Sequence, residues 1–287
     1  MTRVNYAKAR ARAQPQLSAQ PLLETTLPGG EPWAVFYRRN FGYLVRFVDL
    51  VDFEISPGGT EITVRAVPGV STETVDHLYK NQASPLALSL QKKLVLHGSA
   101  VEISDGAIAF IGETGRGKST LAASFSSNGF RFLTDDGLRI DKTEKQYIVQ
   151  PSHPSLRLWN DSREATAHAG SLTAPATAYS SKLRFLADEH FLFCAESRAL
   201  QRIYFLGDGA SNSISIAAVS GQAAFIEMRR HCFLLGLDQP ELLAHNFQQL
   251  AELSRLPIFF SLDYPRRYDI LEQVREAIVN HLNTSLQ

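Results

Sequence analysis

The run Gly112-Glu113-Thr114-Gly115-Arg116-Gly117-Lys118-Ser119-Thr120 carries the spacing G-x-x-x-x-G-K-S in full. A loop that wraps phosphate needs glycine, because its backbone N–H groups must turn inward around the oxygens. Lys118 places a positive charge on β- and γ-phosphates, and Ser119 offers a hydroxyl to a magnesium ion. A helix starting at the lysine would add the positive end of its dipole. The expected cofactors are therefore ATP or GTP with Mg²⁺. Two further features lie at fixed distances from Lys118. Asp135 and Asp136 follow it by 17 and 18 residues. Such carboxylates can take a proton from an attacking hydroxyl or hold the metal. His97-Gly98 precedes the lysine by 21 residues.

These residues need elements to hold them. Residues 99–103 and 107–111 read as strands around the turn Asp105-Gly106, the second wholly apolar. The loop follows, then a helix that ends at Asn128-Gly129. Residues 130–133 read as the next strand, ending on Thr134-Asp135-Asp136. If it pairs in parallel with the strand before the loop, both carboxylates arrive beside the phosphates. Residues 138–141 and 146–150 suggest another hairpin. Further strands are expected at 203–206, 214–219 and 258–262, and helices at 222–235, 240–255 and 268–282. Strands mixed with helices indicate an α/β domain with a mixed sheet. Upstream, 33–37, 43–53 and 60–67 read as strands of a small β-rich region, and 71–93 as helix broken near Pro85. The expected division is a β-rich region with a basic leader over 1–93 and a nucleotide-binding domain over 94–287.

Composition narrows the function classes. The chain has 287 residues, 44% hydrophobic and 20% charged, with 17 Phe and 9 Tyr, which excludes disorder as its dominant state. Lys plus Arg equals Asp plus Glu at 29 each, so the strongly basic footprint of a nucleic-acid-coating protein is absent. No apolar run approaches the roughly 18 residues that span a bilayer, so neither nucleic acid nor membrane is an expected partner. Cys194 and Cys232 form no CxxC and no metal spacing, and read as buried thiols in a reducing cytoplasm. The histidines at 153, 168, 190, 231, 245 and 281 show no zinc spacing. Arg3, Lys8, Arg10 and Arg12 make the first residues basic without an apolar stretch behind them, which reads as a frayed arm, with a transit peptide rather than a secretory signal as the alternative.

Leu96-His97-Gly98, then GETGRGKST, then Asn128-Gly129-Phe130-Arg131-Phe132-Leu133-Thr134-Asp135-Asp136 together resemble the HPr kinase/phosphorylase family, over about residues 94–141. The resemblance implies a P-loop nucleotide-binding core of the HPr kinase/PEP carboxykinase kind and transfer of phosphate to a protein serine. Carried over by motif, Asp136 is the general base, His97 assists it, Lys118 and Ser119 hold nucleotide and metal, and Asp135 supports the metal. It also implies self-association, since that family forms ring-like hexamers. The Leu-Glu-Ile-Arg-Gly segment of the bifunctional members is absent. After Gln150 the chain reads Pro151-Ser152-His153-Pro154-Ser155-Leu156-Arg157-Leu158-Trp159-Asn160-Asp161. That departure resembles the divergent HPr-kinase-related proteins, some of which are lasso-peptide tailoring kinases acting on a precursor peptide.

Outside the motif, Arg157, Lys182 and Arg184 are candidates to meet phosphates or an acidic substrate. Trp159 is a candidate platform for a base or peptide, and Arg266-Arg267 reads as a solvated turn. Two other function classes stay open: a small-molecule kinase, and a switch that binds ATP without transferring its phosphate.

Overall fold

The computed structural model of the chain describes residues 4–27, 29–159, 161–162, 166, 173–174 and 182–284. It divides into two compact units. One takes the residues up to Val95 together with Phe233–Gln248; the other takes most of 96–232 and the residues from Gln249 onward.

The first unit is built on six strands: β1 (Asn5–Lys8), β2 (Leu23–Thr26), β3 (Pro32–Arg39), β4 (Gly42–Phe47), β5 (Val51–Ile55) and β6 (Glu61–Ala66). They lie in the order β1-β6-β5-β4-β3-β2. Strands β2 to β6 form an antiparallel meander, and β1 joins β6 in parallel. The expected single strand over 43–53 is two strands, folded back on each other at residues 48–50. Asp49 takes the left-handed conformation there (φ 59), which a short polar side chain tolerates. Val, Phe and Tyr on both sides of this turn had masked it. Inward residues such as Tyr43, Val45, Phe47, Phe53 and Ile62 pack with Val75, Leu78, Leu86 and Leu90 of the helices α1 (Thr72–Leu78) and α2 (Ser84–Leu90). Between these helices a π turn (Tyr79–Ala83) takes up the irregularity, and Pro85 sits in the first turn of α2, where it needs no N–H.

Two expectations are corrected here. From Asn5 to Pro15 the basic arm is not frayed. It supplies β1, the Gln14 side chain donates to the Phe47 carbonyl and Asp52, and Arg46 donates to the Pro15 carbonyl. A count of charges does not see these backbone partners. The helix expected over 222–235 ends at Arg230, and Leu235 instead enters the core of the first unit with Leu242. Gly236, at φ 79, allows that path. A single cut at 93/94 leaves Phe233–Gln248 on the other side.

The second unit contains β7 (Leu94–Ile103), β8 (Gly106–Ile111), β9 (Phe132–Thr134), β10 (Gly137–Lys142), β11 (Tyr147–Gln150), β12 (Ser155–Leu158), β13 (Thr173–Ala174), β14 (Leu183–Leu186), β15 (Arg198–Leu206), β16 (Ser215–Ala218) and β17 (Phe259–Asp263). Its helices are α3 (Lys118–Ser126) and α4 (Gly221–Arg230), and, past α5 (Pro240–Leu253), most of which belongs to the first unit, α6 (Leu271–Thr284). The main sheet is mixed, in the order β11-β10-β7-β8-β15-β17-β16, with β9 also on β7. Strand β8 is buried at every position and runs parallel to β15, as an apolar central strand should. Phe110, Leu121, Phe125, Phe132, Tyr204, Leu262, Val274 and Ile278 form the core here. A separate small sheet, β12-β14-β13, is antiparallel.

The strand ending on the aspartates does not pair with β8 as expected. Strand β9 pairs with β7, antiparallel, with Thr134 opposite Ala100. Since β7 is also antiparallel to β8, β8 and β9 point the same way with one strand between them. The carboxylates therefore still emerge at the end of the sheet where the glycine-rich loop leaves β8. Among the described residues, no helix is long and apolar enough to cross a membrane.

Candidate active site

The loop between β8 and α3 owes its shape to glycine. Gly115 and Gly117 have φ of 86° and 95°. A Cβ on Gly117 would also stand 3.2 Å from the Tyr264 hydroxyl. Gly112 lies close against β15, where a Cβ would meet Leu206 at 3.2 Å. Glu113 and Arg116 pair with each other at 3.2 Å on the exposed side of the loop. Lys118 is 6% exposed and curls back over the loop, its Nζ donating to the Gly112 and Glu113 carbonyls at 2.7 and 3.0 Å. The Lys118 carbonyl accepts the buried Ser99 hydroxyl from β7, which fixes the start of α3 to the sheet. Burial pulls the Lys118 ammonium down to about 8 against the opposing charges of Asp136 and Asp135.

Ser119 Oγ donates to Asp135 Oδ1 at 2.8 Å, and Asp135 Oδ2 accepts the Arg157 N–H at 3.0 Å. Both carboxylate oxygens of this buried residue are thus occupied from opposite sides. Burial and the neighbouring Asp136 charge push Asp135 up to about 6, while the Arg157 and Ser119 hydrogen bonds act against them. Asp136 is placed differently. It takes a left-handed backbone (φ 75) between β9 and β10, its carbonyl accepts the Gly98 N–H, and its side chain lines a cleft. His97 Nδ1 lies 3.9 Å from Asp136 Oδ1, beyond hydrogen-bond length. Burial takes the imidazole down to about 4 in spite of that carboxylate.

The cleft has a volume of about 300 Å³. His97, Thr114, Gly115, Gly117, Lys118, Ser119, Thr120 and Asp136 all reach it. Of the secondary candidates, Arg157, Trp159 and Lys182 line it as well. Arg184 instead lies opposite Arg157 in the β12–β14 pair. Trp159 is 41% exposed, with the Lys182 Nζ 5.2 Å from its ring centroid. The expected solvated turn at Arg266-Arg267 is only half realised. Arg267 is exposed and paired with Asp269, but the Arg266 guanidinium stacks 4.1 Å over the Tyr264 ring and donates to the Gly207 carbonyl. Asp161, Ser162, Tyr264 and Tyr268 complete the wall. The Ser162 hydroxyl joins Thr120 at 3.1 Å to Tyr268 at 3.2 Å. None of these four stands in a motif, and no sequence signal marked them.

Among the described residues, no group of three or more His, Cys, Asp or Glu could hold a metal. Neither Cys194 nor Cys232 is in a disulfide, the first being buried and the second only partly so. Ser119 Oγ and the Asp135 carboxylate are hard oxygen donors in contact, and Mg²⁺ is commonly held by one or two carboxylates together with substrate phosphates.

No family model matches the chain. No curated protein sequence matches it either. Among solved structures, the Hpr(Ser) kinase/phosphatase from Coxiella burnetii aligns over 56% of this chain and 97% of that one, at 11% identity and a TM-score of 0.26.

Proposed function

We propose that this chain is an ATP- or GTP-dependent, magnesium-requiring kinase of the HPr-kinase-like kind, which phosphorylates a serine hydroxyl of a protein or peptide. The observation that carries the reading is convergence. A glycine loop with its lysine, Ser119 backed by its hydrogen bond to the buried Asp135, and the Asp136 carboxylate near His97 all meet at one cleft.

The division of labour follows from the contacts. Lys118 leaves the loop carbonyls for the β- and γ-phosphates, which are better acceptors because they carry full charge. Ser119 and Asp135 would hold Mg²⁺, which when bound neutralises charge developing on the phosphate oxygens. Asp136 accepts the proton of the serine hydroxyl as its oxygen bonds to the γ-phosphorus and the bond to the β–γ bridging oxygen breaks; the nucleoside diphosphate leaves with that bond's electrons. Asp135, its two oxygens engaged by Ser119 and Arg157, is poorly placed to take that proton. His97 positions the Asp136 carboxylate. Self-association and a peptide natural-product precursor as acceptor belong to the same proposal, and both rest on the motif resemblance.

The test supplies γ-labelled ATP, Mg²⁺ and candidate acceptor peptides and follows label on serine against free phosphate. Label on an acceptor serine, lost in Asp136→Asn, is the expected result. Free phosphate released at a rate no acceptor changes would overturn the kinase reading in favour of a nucleotide-driven switch.

A further inference from the structure

We infer that Lys182 is a second protein cation on the transferring phosphoryl group, acting with Lys118, and that Trp159 positions it. The inference rests on the kinase reading above and adds to it a residue outside the motif.

The small sheet brings Lys182 to the cleft. In the β12–β14 pair Leu158 stands opposite Leu183, so the next residues outward, Trp159 and Lys182, come at the same end of the pair. Strand β12 is itself tied to the site through the Arg157 N–H on Asp135. Trp159 then gives the ammonium a face to rest on, 5.2 Å from ring centroid to Nζ. A lysine has a long flexible stem, and a cation–π contact restricts it without neutralising it.

Lys182 lines the same cleft as Lys118, Ser119, Asp136 and His97. Lys118, Ser119 and Asp136 mark the phosphate side, the metal side and the acceptor side of the reaction, and the phosphoryl in transfer lies in the cleft they share with Lys182. Of the other cations of the cleft, Arg267 pairs with Asp269, Arg266 donates to the Gly207 carbonyl and stacks on the Tyr264 ring, and Arg157 lines the cleft as well. In the transition state charge spreads over three equatorial oxygens. A cation that meets those oxygens only then raises turnover more than nucleotide affinity.

The test needs no acceptor. ADP affinity is measured with Mg²⁺ alone and with Mg²⁺ plus fluoroaluminate, a planar stand-in for the phosphoryl in flight. Wild type should bind ADP more tightly with fluoroaluminate. Lys182→Gln should lose about 100-fold of that gain while its Mg–ADP affinity stays within about threefold. Lys182→Arg should keep most of the gain, and Trp159→Leu should lose about tenfold of it, since a lysine without its platform is still a cation. The inference is overturned if Lys182→Gln keeps the whole gain, or if its Mg–ADP affinity falls as far as its analogue affinity, as a structural prop would cause. A wild type that binds Mg–ADP but gains nothing from fluoroaluminate overturns transfer and this inference together. A wild type that does not bind Mg–ADP overturns the reading of the loop itself.

Discussion

Asp136→Asn separates chemistry from binding more cleanly than other changes at this site. The backbone at 136 is left-handed, φ 75. Asparagine accepts that conformation with little strain, whereas alanine would not. The substitution keeps the shape of the side chain in the cleft and removes only its ability to take a proton and its charge. The loss of a general base costs about 10²–10⁴ in rate, or roughly 3–5 kcal/mol of barrier at 1.36 kcal/mol per tenfold. Binding should respond in the other direction. The Asp136 charge supports the charged form of Lys118 but also repels a triphosphate, so Mg–ADP affinity should remain within about threefold or tighten slightly. Asp135→Asn is the control. It disturbs the bonds to Ser119 Oγ and the Arg157 N–H, so its deficit should shrink as magnesium rises. Turnover and Mg–ADP affinity, each titrated with magnesium, decide the matter. A magnesium-insensitive collapse in Asp135→Asn with near-wild-type turnover in Asp136→Asn would refute the assignment of the base, and with it the argument that engaged carboxylate oxygens cannot serve.

Lys118→Ala should abolish turnover and weaken ATP binding well outside error, because the loop loses its cation; calorimetry with Mg–ATP checks it. Ser119→Ala should raise the magnesium concentration for half activity, since Mg²⁺ tolerates little loss of octahedral geometry; a titration superimposable on wild type would remove Ser119 as a ligand. His97 titrates near 4 in the fold against 6.5 unperturbed, so between those values the unfolded chain binds a proton that the folded one does not. Its contribution to stability therefore falls as pH drops from about 6.5 to 4, and His97→Gln should lose less stability than wild type in denaturant melts between pH 7 and pH 4.5.

What could be read from the chain was local. The loop's chemistry depends on residues adjacent in sequence, and the apolar strand before it and the helix after it formed over 106–111 and 118–126 as their composition requires. The Asp pair was legible for the same reason: one helix and one short strand separate it from Lys118. The turn at Asp49 was not, because one left-handed aspartate between two equally β-prone runs leaves no gap in the pattern.

Contacts between distant segments left no such trace. Whether β9 pairs with β7 or β8 depends on which neighbour offers a free edge, and that is settled by β15 having taken the other side of β8. Arg266 illustrates the same point at a single side chain. Next to Arg267 in a Pro-Arg-Arg turn it has the look of a solvated charge. The Gly207 carbonyl, 59 residues away in sequence, together with the Tyr264 ring, turns it into part of the cleft wall. Ser162 reaches the site in the same manner, bonded to Thr120 and Tyr268 from 42 and 106 residues away. The phosphate-facing half of the cleft is therefore a property of a short run of sequence. The opposite half is assembled from single residues in and just after β12, just before β14 and after β17, each dictated by packing. Under the proposed function, acceptor choice can change by substitutions at Asp161 or Tyr268 that leave every residue of the loop in place.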